Sequence, residues 1–464
     1  MSTAVYQAQI QNAEPNAVLG INMKTRSLIF AVLLTSLCCL NSVSGQTSVP
    51  EGFESVFNGN DLDGWYAMPT ADPRKFAELS PEGQQARIAE LESKTDEFWR
   101  VEDGVIINDG NGPYLTTKRN FRDYELLIDF KLEAGGDSGV YLKATPQVQV
   151  WDTTHEPSFK HGSEKGSGGL WNNGKGSPAR FPTVHADKPV GEWNTMRIQQ
   201  VGARTSIWLN EKKVVDHQIM DNYWARQLPI IASGPIQLQT HGGKMYWRNI
   251  FVRDIEAQEA NEILATKQAE KFQSVFNGTD FKGWAGPTDN YEINDGVLRC
   301  KPKSGGTIYT EKEYSDFAVR FEFKLPPGGN NGLAIRYPGN GDTAYVGMCE
   351  LQVLDNTAAQ YANLDQRQYH GSAYGMAAAA RGYLRPVGEW NFQQVTVVGS
   401  TIKVELNGNL ILNTDLSKID SFLADRPHPG KDRTSGHFGF AGHNDPVEFR
   451  NVSIKDLSTQ ATDE

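Results

Sequence analysis

A small set of polar residues occurs twice along this chain of 464 residues. In each set a cation ends one predicted strand, an amide and a carboxylate lie on the next strand, and a histidine follows a late turn. The two sets are Lys143, Gln149, Asp152 and His241, and then Arg336, Gln352, Asp355 and His443. Histidine can accept a proton near neutral pH, a carboxylate can orient it, and a cation can stabilise an oxyanion. Each set is therefore sufficient to remove a proton beside a carbonyl group.

The strands that carry the amides alternate between polar and apolar residues. Successive side chains on a strand point to opposite faces, so Glu350 and Gln352 share one face and the apolar residues beside them share the other. We expect this strand, and its counterpart at 147–152, to form the floor of a polar ligand site. Glu350 adds a second carboxylate at the position where the first set has Gln147.

Each member of the two sets also has a structural interpretation. The cations can pair with surface acids, the aspartates can cap turns, and the histidines can bond to the backbone of a loop. Convergence of His241, Asp152 and Lys143 in one pocket would favour an enzyme. Positions on different faces would favour a binding module.

Aromatic residues near the loops fit a surface on which a sugar ring stacks, and these are Trp151, Trp171, Tyr374 and Trp224. The sequence lacks the zinc-protease, nucleophile-elbow, P-loop and dinucleotide motifs. Its formal net charge of -11 gives no support to nucleic-acid binding. These observations disfavour serine hydrolases, nucleotide-binding enzymes and nucleic-acid-binding proteins.

The elements that position these residues belong to two copies of one domain. The motif FESVFNGNDLDGW at 53–65 returns as FQSVFNGTDFKGW at 272–284. A repeat this long indicates tandem domains, because solenoid repeats are much shorter. We predict one copy at 46–255, a helical linker at 256–270, a second copy at 271–458 and a tail at 459–464.

Short alternating strands separated by Gly, Asn and Asp turns predict an all-β fold with one β-sandwich per copy. An insertion at 80–97 departs from this pattern and predicts a helix that starts at Ser80-Pro81. The second copy also carries Cys300 and Cys349. Both a disulfide and two buried free thiols are consistent with the sequence.

The N-terminal residues 1–45 resemble a secretory signal peptide. Lys24 and Arg26 precede an apolar run that continues to Leu40, and small residues follow at Ser42, Ser44 and Gly45. This apolar run is too short to span a membrane as a stable anchor, and an uncleaved anchor is the less favoured alternative. The sequence therefore predicts a secreted or periplasmic protein with no transmembrane span in its mature chain.

Several motifs of the first copy resemble one known family, the 3-keto-disaccharide hydrolase domain, also described as a 3-keto-glucoside lyase and 3-keto-2-hydroxy-glucal hydratase domain. They are FNGNDLDGW, SGVYLK followed by VQVWD, VGEWNTMRI, and GPIQLQTHGG followed by WRNI. The second copy departs from this pattern by reading FAGHN in place of LQTHG. The resemblance implies tandem concanavalin A-like sandwiches of the jelly-roll type. It also implies an exported enzyme that acts after a sugar 3-dehydrogenase has oxidised its substrate.

The resemblance further implies β-elimination from a 3-keto-glycoside, followed by hydration of the resulting glucal. As a hypothesis, His241 or Asp152 is the base in the first copy, with Lys143 and Gln149 holding the ketone oxygen. In the second copy these roles fall to residues at equivalent positions, namely His443, Asp355 or Glu350, Arg336 and Gln352. A divalent cation that holds the enolate is an alternative to the basic side chains.

Two other functions stay open. A lectin-like glycan-binding protein needs no catalytic base, because a fold does not determine its chemistry. A conventional glycosidase needs paired carboxylates, and only Glu350 and Asp355 of the second copy could supply them.

Overall fold

The alternating segments form antiparallel sheets in the computed structural model, which describes residues 47–458. The predicted signal peptide at 1–45 and the tail at 459–464 lie outside the described residues. Within the described range, each copy combines one eight-stranded sheet with one five-stranded sheet. The prediction of an all-β chain with tandem β-sandwiches is confirmed.

The first copy contains the strands β1 to β13. These are β1 (Glu54–Ser55), β2 (Trp65–Met68), β3 (Trp99–Glu102), β4 (Val105–Asn108), β5 (Tyr114–Thr117), β6 (Tyr124–Leu132), β7 (Asp137–Leu142), β8 (Thr145–Trp151), β9 (Asn194–Val201), β10 (Arg204–Leu209), β11 (Lys212–Ile219), β12 (Gln237–Leu238) and β13 (Met245–Asp254). The larger sheet has the order β11-β10-β9-β6-β13-β4-β3, and β1 also pairs with β13. The smaller sheet has the order β2-β5-β12-β7-β8.

The second copy repeats this arrangement strand by strand. Its strands are β14 (Gln273–Ser274), β15 (Trp284–Ala285), β16 (Tyr291–Asn294), β17 (Val297–Cys300), β18 (Gly305–Tyr314), β19 (Phe317–Lys324), β20 (Asn330–Tyr337), β21 (Cys349–Leu354), β22 (Trp390–Val398), β23 (Thr401–Leu406), β24 (Asn409–Asp415), β25 (Gly436–His443) and β26 (Glu448–Asp456). The sheet orders are β24-β23-β22-β19-β26-β17-β16, with β14 beside β26, and β15-β18-β25-β20-β21. Every strand of the first copy therefore has an equivalent in the second.

Helices are short and lie between the strands. They are α1 (Pro73–Ala77), α2 (Pro81–Glu92), α3 (Ala257–Thr266) and α4 (Thr343–Val346). Short 3-10 turns lie at Thr95–Glu97, Glu156–His161, Ser163–Lys165, Thr288–Asn290, Ala359–Tyr361, Gln366–Gln368, Leu416–Lys418 and Leu423–Asp425. The predicted start of α2 is present, because the Ser80 hydroxyl accepts a hydrogen bond from the amide of Gly83. In residues 47–458, no helix combines the length and the apolar character that a membrane crossing requires.

Alternate residues of the long central strands fill the space between the two sheets. On β6 and β19 the inward-facing residues, including Leu126, Phe130, Val319 and Phe321, are almost completely buried. Burial of such side chains is the main favourable contribution to folding, at about 1.5–3 kcal/mol for each large apolar residue. Cys300 and Cys349 are buried free thiols in the second copy, which resolves the alternatives left by the sequence.

The two copies contact each other through α3 and through two hairpin turns. Leu264 of α3 packs in a small apolar cluster with Val201 of the first copy and Phe392 of the second. Beside this cluster, the Arg204 guanidinium donates hydrogen bonds to both carboxylate oxygens of Glu405, at 2.9 and 2.5 Å. The two sandwiches are thus held together by apolar burial and by a largely buried ion pair.

The turn glycines Gly202 and Gly399 provide a matched test of this contact. They occupy equivalent turns, and both have a positive φ, +58° and +55°. A methyl group at Gly202 would lie 2.1 Å from the carbonyl oxygen of Asn407 in the other copy, whereas no atom lies within 4 Å of one at Gly399.

We expect Gly202→Ala to lower the free energy of unfolding by about 1–3 kcal/mol more than Gly399→Ala, because only the first substitution overpacks the contact between the copies. Both variants share the backbone strain of a positive φ, so the comparison cancels it. Urea unfolding of the full chain measures the difference. Equal losses of stability would show that the contact contributes nothing.

Candidate active site

The candidate site lies on the outer face of each five-stranded sheet. In the first copy, Val148 and Val150 of β8 are fully buried in the core, so Gln147, Gln149 and Trp151 face the opposite way. They line a cleft of about 580 Å³. Its other lining residues include Tyr114, Asp137, Tyr141, Trp171, Tyr223, Trp224, Gln239 and His241. The polar floor predicted for this strand is therefore present.

The second copy has a smaller cleft at the equivalent place, with a volume of about 270 Å³. Glu350, Gln352 and Leu354 of β21 form its floor, and Leu351 and Val353 point into the core. The remaining lining is Asn330, Asp342, Ala344, Tyr345, Tyr361, Leu364, Gln368, Tyr374, Arg426 and His443. In each cleft one histidine, His241 or His443, lies at or just beyond the end of the central strand of the sheet, and His161 is a second histidine in the lining of the first cleft.

In the first copy this histidine is paired with Asp137. Nδ1 of His241 lies 3.1 Å from Oδ2 of Asp137. The hydrogen bond raises the pKa of His241 above its usual value, although burial opposes the change. Gln149 donates a hydrogen bond of 2.7 Å to the other carboxylate oxygen of Asp137, and Gln147 donates to Gln149. A line of polar contacts therefore fixes the carboxylate that orients the histidine.

Asp137 was absent from the sequence-based set. The glycines around it, at positions 135, 136 and 139, are typical of a turn and do not indicate a strand. The structure makes it the first residue of β7, opposite Trp151 of β8 and on the same face as Gln149. The register of the β7–β8 hairpin was the signal that could have identified it.

In the second copy the histidine is paired with Glu350. Nε2 of His443 lies 3.5 Å from Oε1 of Glu350, whose side chain is almost completely buried. This carboxylate raises the pKa of His443 above its usual value, against the effect of burial. Gly332 lies opposite Gln352, next to this carboxylate, and a methyl group there would come within 2.3 Å of a Glu350 oxygen. The glycine leaves room for the carboxylate on the floor of the cleft.

The two copies supply the carboxylate from different strands. Asp137 and Asn330 are the first residues of the equivalent strands β7 and β20, and Gln147 and Glu350 are equivalent on β8 and β21. The carboxylate thus lies on the inner strand β7 in the first copy and on the edge strand β21 in the second. An amide occupies the vacated position in each case. Each copy therefore has one carboxylate paired with its cleft histidine.

Asp152 and Asp355 do not line the clefts and instead cap turns. The Asp152 carboxylate accepts hydrogen bonds from the amides of Gly135 and Thr154 and from the Thr154 hydroxyl. Burial disfavours its ionisation, but these bonds outweigh that effect and lower its pKa. Asp355 makes the equivalent contacts. Their proposed role as bases is corrected, and the alternative glycosidase pair of Glu350 and Asp355 lacks its second carboxylate in the cleft.

Lys143 and Arg336 also lie away from the clefts. Nζ of Lys143 is fully buried and donates a hydrogen bond of 2.8 Å to the carbonyl of Gly202, and burial lowers its pKa to about 8. Arg336 donates to the equivalent carbonyl of Gly399 at 2.8 Å. Both cations therefore attach a hairpin turn to the neighbouring sheet. Their predicted role of holding a ketone oxygen is corrected. The set of His241, Asp152 and Lys143 does not converge in one pocket, which by itself would favour a binding module, and His241 pairs with Asp137 instead.

The predicted aromatic residues do line the clefts. Trp151 is mostly buried, and its indole N–H donates to the carbonyl of Gly166. Trp171 packs edge-on against it, with ring centroids 6.3 Å apart. Tyr374 lies at the position equivalent to Trp171 and accepts a hydrogen bond of 3.2 Å from Gln368. Tyr114, Tyr141 and Gln239 are additional lining residues that the sequence did not indicate.

The alternative in which a divalent cation holds the enolate requires a set of metal ligands that the clefts do not supply. Among residues 47–458, no group of three or more His, Cys, Asp or Glu side chains is arranged to hold a metal ion. The first cleft instead offers His161, His241 and the carboxylate of Asp137, and the second offers His443 with the carboxylates of Glu350 and Asp342.

The pairing of His241 with Asp137 gives a direct prediction. Asp137→Asn removes the charge that stabilises the imidazolium, so the pKa of His241 should fall towards or below its ordinary value. NMR titration of the imidazole resonances measures this change. Asp152→Asn is the matched control, because it removes a carboxylate of the same sheet that does not contact the ring. An unchanged pKa in Asp137→Asn would contradict the pairing.

Comparisons with known proteins show which family this chain belongs to. A family model described as the 3-keto-alpha-glucoside-1,2-lyase-like domain matches residues 52–253 and 271–455. The chain is 25% identical over 248 residues to a 3-keto-disaccharide hydrolase of Bacteroides thetaiotaomicron, and the match covers 45% of this chain and 86% of that protein.

Two solved structures are also similar to parts of the chain. A candidate glycosyl hydrolase from Parabacteroides distasonis has 25% identity and a TM-score of 0.37, covering 40% of this chain and 100% of the other. The carbohydrate-binding module CBM66 from Bacillus subtilis has 16% identity and a TM-score of 0.26, covering 38% and 96%. The two matched segments of the family model span most of the sequence, and the chain therefore belongs to the family of 3-keto-alpha-glucoside-1,2-lyase-like domains.

Proposed function

We propose that this chain is an exported carbohydrate-active enzyme that cleaves 3-keto-glycosides. Cleavage proceeds by β-elimination between C1 and C2, and hydration of the resulting 3-keto-2-hydroxy-glucal makes the overall reaction a hydrolysis. The observation that carries this proposal is the histidine–carboxylate pair on the floor of each cleft. Family membership and the name of the relative from Bacteroides thetaiotaomicron support the choice of substrate.

A ketone at C3 makes the neighbouring C2–H acidic, so a neutral imidazole is a suitable base. In the first copy Nδ1 of His241 is engaged by Asp137, which leaves Nε2 to receive the proton. Asp137 fixes the orientation of the ring and stabilises the imidazolium that forms. The enolate then collapses, the C1–O bond breaks, and the departing oxygen takes a proton. Addition of water to C1 and of a proton to C2 reverses these steps.

The enolate oxygen needs hydrogen-bond donors now that Lys143 is excluded from the cleft. Gln149 is also committed, because its amide donates to Asp137 and to the carbonyl of Ser138. The phenols of Tyr114 and Tyr141 line the same cleft, and burial raises the pKa of Tyr141. A phenol with a raised pKa stays protonated at neutral pH and can donate to an oxyanion. We assign these two tyrosines the role first given to Lys143 and Gln149.

The substrate class implies a preceding reaction. A 3-keto-glycoside forms when the 3-hydroxyl of a glycoside is oxidised, so a sugar 3-dehydrogenase is the expected partner. Secretion or export to the periplasm follows from the predicted signal peptide and belongs to the same proposal.

Removal of both histidines tests the proposal. We expect the double variant His241→Gln/His443→Gln to consume a 3-keto-disaccharide at least about 100-fold more slowly than the unmodified chain, because both bases are lost. NMR spectroscopy of the sugar signals measures the rate. His185→Gln is the control, since this exposed histidine lies outside both clefts.

Two outcomes would contradict the proposal. Full activity in the double variant would exclude His241 and His443 as the bases. Saturable binding of the saccharide by the unmodified chain without any turnover would instead establish a glycan-binding module.

A further inference from the structure

The two clefts differ in size although they occupy equivalent places. The volume is about 580 Å³ in the first copy and about 270 Å³ in the second. The floors are built alike, from β8 in one case and β21 in the other. The difference must therefore come from the walls.

One wall of the second cleft has no equivalent in the first. Strands β7 and β8 are joined by two residues, Lys143 and Ala144, whereas residues 338–348 join β20 to β21 and include α4. Ala344 and Tyr345 of α4 line the second cleft. The guanidinium of Arg426 lies 3.5 Å from the centroid of the Tyr345 ring, and Arg426 forms an ion pair of 3.5 Å with Asp342. These contacts hold α4 across one end of the cleft.

At that end the first cleft has aromatic loop residues in place of a helix, and the indole N–H of Trp224 donates a hydrogen bond of 3.1 Å to the carbonyl of Ala144 in the β7–β8 turn. Tyr223 and Trp224 form one edge-on pair, with ring centroids 5.1 Å apart, and Trp151 and Trp171 form another at 6.3 Å. Nearly half of the surface of Tyr223 is exposed. Exposed aromatic faces of this kind suit the apolar face of a second sugar ring or another ring-shaped aglycone. The first cleft therefore has room and contact surface beyond one sugar.

The histidines also present different nitrogens. In the first copy the carboxylate engages Nδ1 of His241, and in the second it approaches Nε2 of His443. The ring nitrogen left for a substrate is consequently Nε2 in one copy and Nδ1 in the other. Because the two nitrogens point in different directions, the same substrate in the same pose could not use both sites equally well.

From these differences we infer that the copies divide the reaction. The first cleft takes the intact 3-keto-glycoside and eliminates the aglycone, and the second takes the single unsaturated sugar that remains and adds water to it. This inference rests on the function proposed above. In the first step the C2–H and C1–O bonds break and the C1=C2 bond forms. In the second step water supplies an oxygen to C1 and a proton to C2, so no oxidant or reductant is required.

Single-site variants of the full chain test this division with two probes, a 3-keto-disaccharide and isolated 3-keto-2-hydroxy-glucal. We expect His241→Gln to cleave the disaccharide at least about 100-fold more slowly and to hydrate the glucal at the normal rate. His443→Gln should cleave the disaccharide normally and accumulate the glucal. A mixture of the two variants should restore complete hydrolysis, which also demonstrates that both are folded.

The variants Asp137→Asn and Glu350→Gln remove the carboxylates that orient the two histidines. Asp137→Asn should show the same defect as His241→Gln, and Glu350→Gln the same defect as His443→Gln. The division is overturned if one histidine variant loses both reactions while the other loses neither, or if each variant retains both. Failure of the unmodified chain to act on either probe would instead overturn the proposed function itself.

Discussion

The strict alternation of side chains across the five-stranded sheets is the constraint on which both sites depend. One face of each strand must fill the core, as Val140, Val148 and Val150 do in the first copy. Only the other face is left for polar groups. A shift of one residue in register would move the cleft residues into the core and the valines into the cleft. Core packing therefore positions the residues of the cleft without contacting a substrate.

This constraint explains which parts of the site could be predicted from sequence. The alternation predicts that Gln149, Gln352 and Glu350 lie on a ligand surface. Its continuation past the strand ends predicts the same for His241 and His443. Lys143 is different. It has a φ of +52°, as does Ala144 at +53°, and together they form a tight two-residue turn that interrupts the alternation. Sequence alone gave no sign of this backbone conformation, since such turns usually contain Asn or Gly.

The fold could be predicted from the sequence more completely than the site, because the repeat shows the pattern of each strand twice. The motif pairs located the tandem copies, and alternating apolar residues identified the long central strands. The pairing between strands that are distant in sequence was harder to predict. Asp137 meets His241 only because β7 and β12 are neighbours in the sheet. The exchange of the carboxylate between Asp137 and Glu350 illustrates the same point, since electrostatic support of a histidine depends on distance and not on the strand that provides the charge.

The contact between the copies has a consequence for regulation. Helix α3 joins the two sandwiches covalently, and the ion pair of Arg204 with Glu405 holds them together. Every molecule therefore carries one cleft of each kind, and the cell makes them in a fixed stoichiometry of one to one. Changes in gene expression cannot alter the ratio of the two clefts. If the copies divide the reaction as inferred above, the rates of the two steps would have to be matched through the residues of the cleft walls.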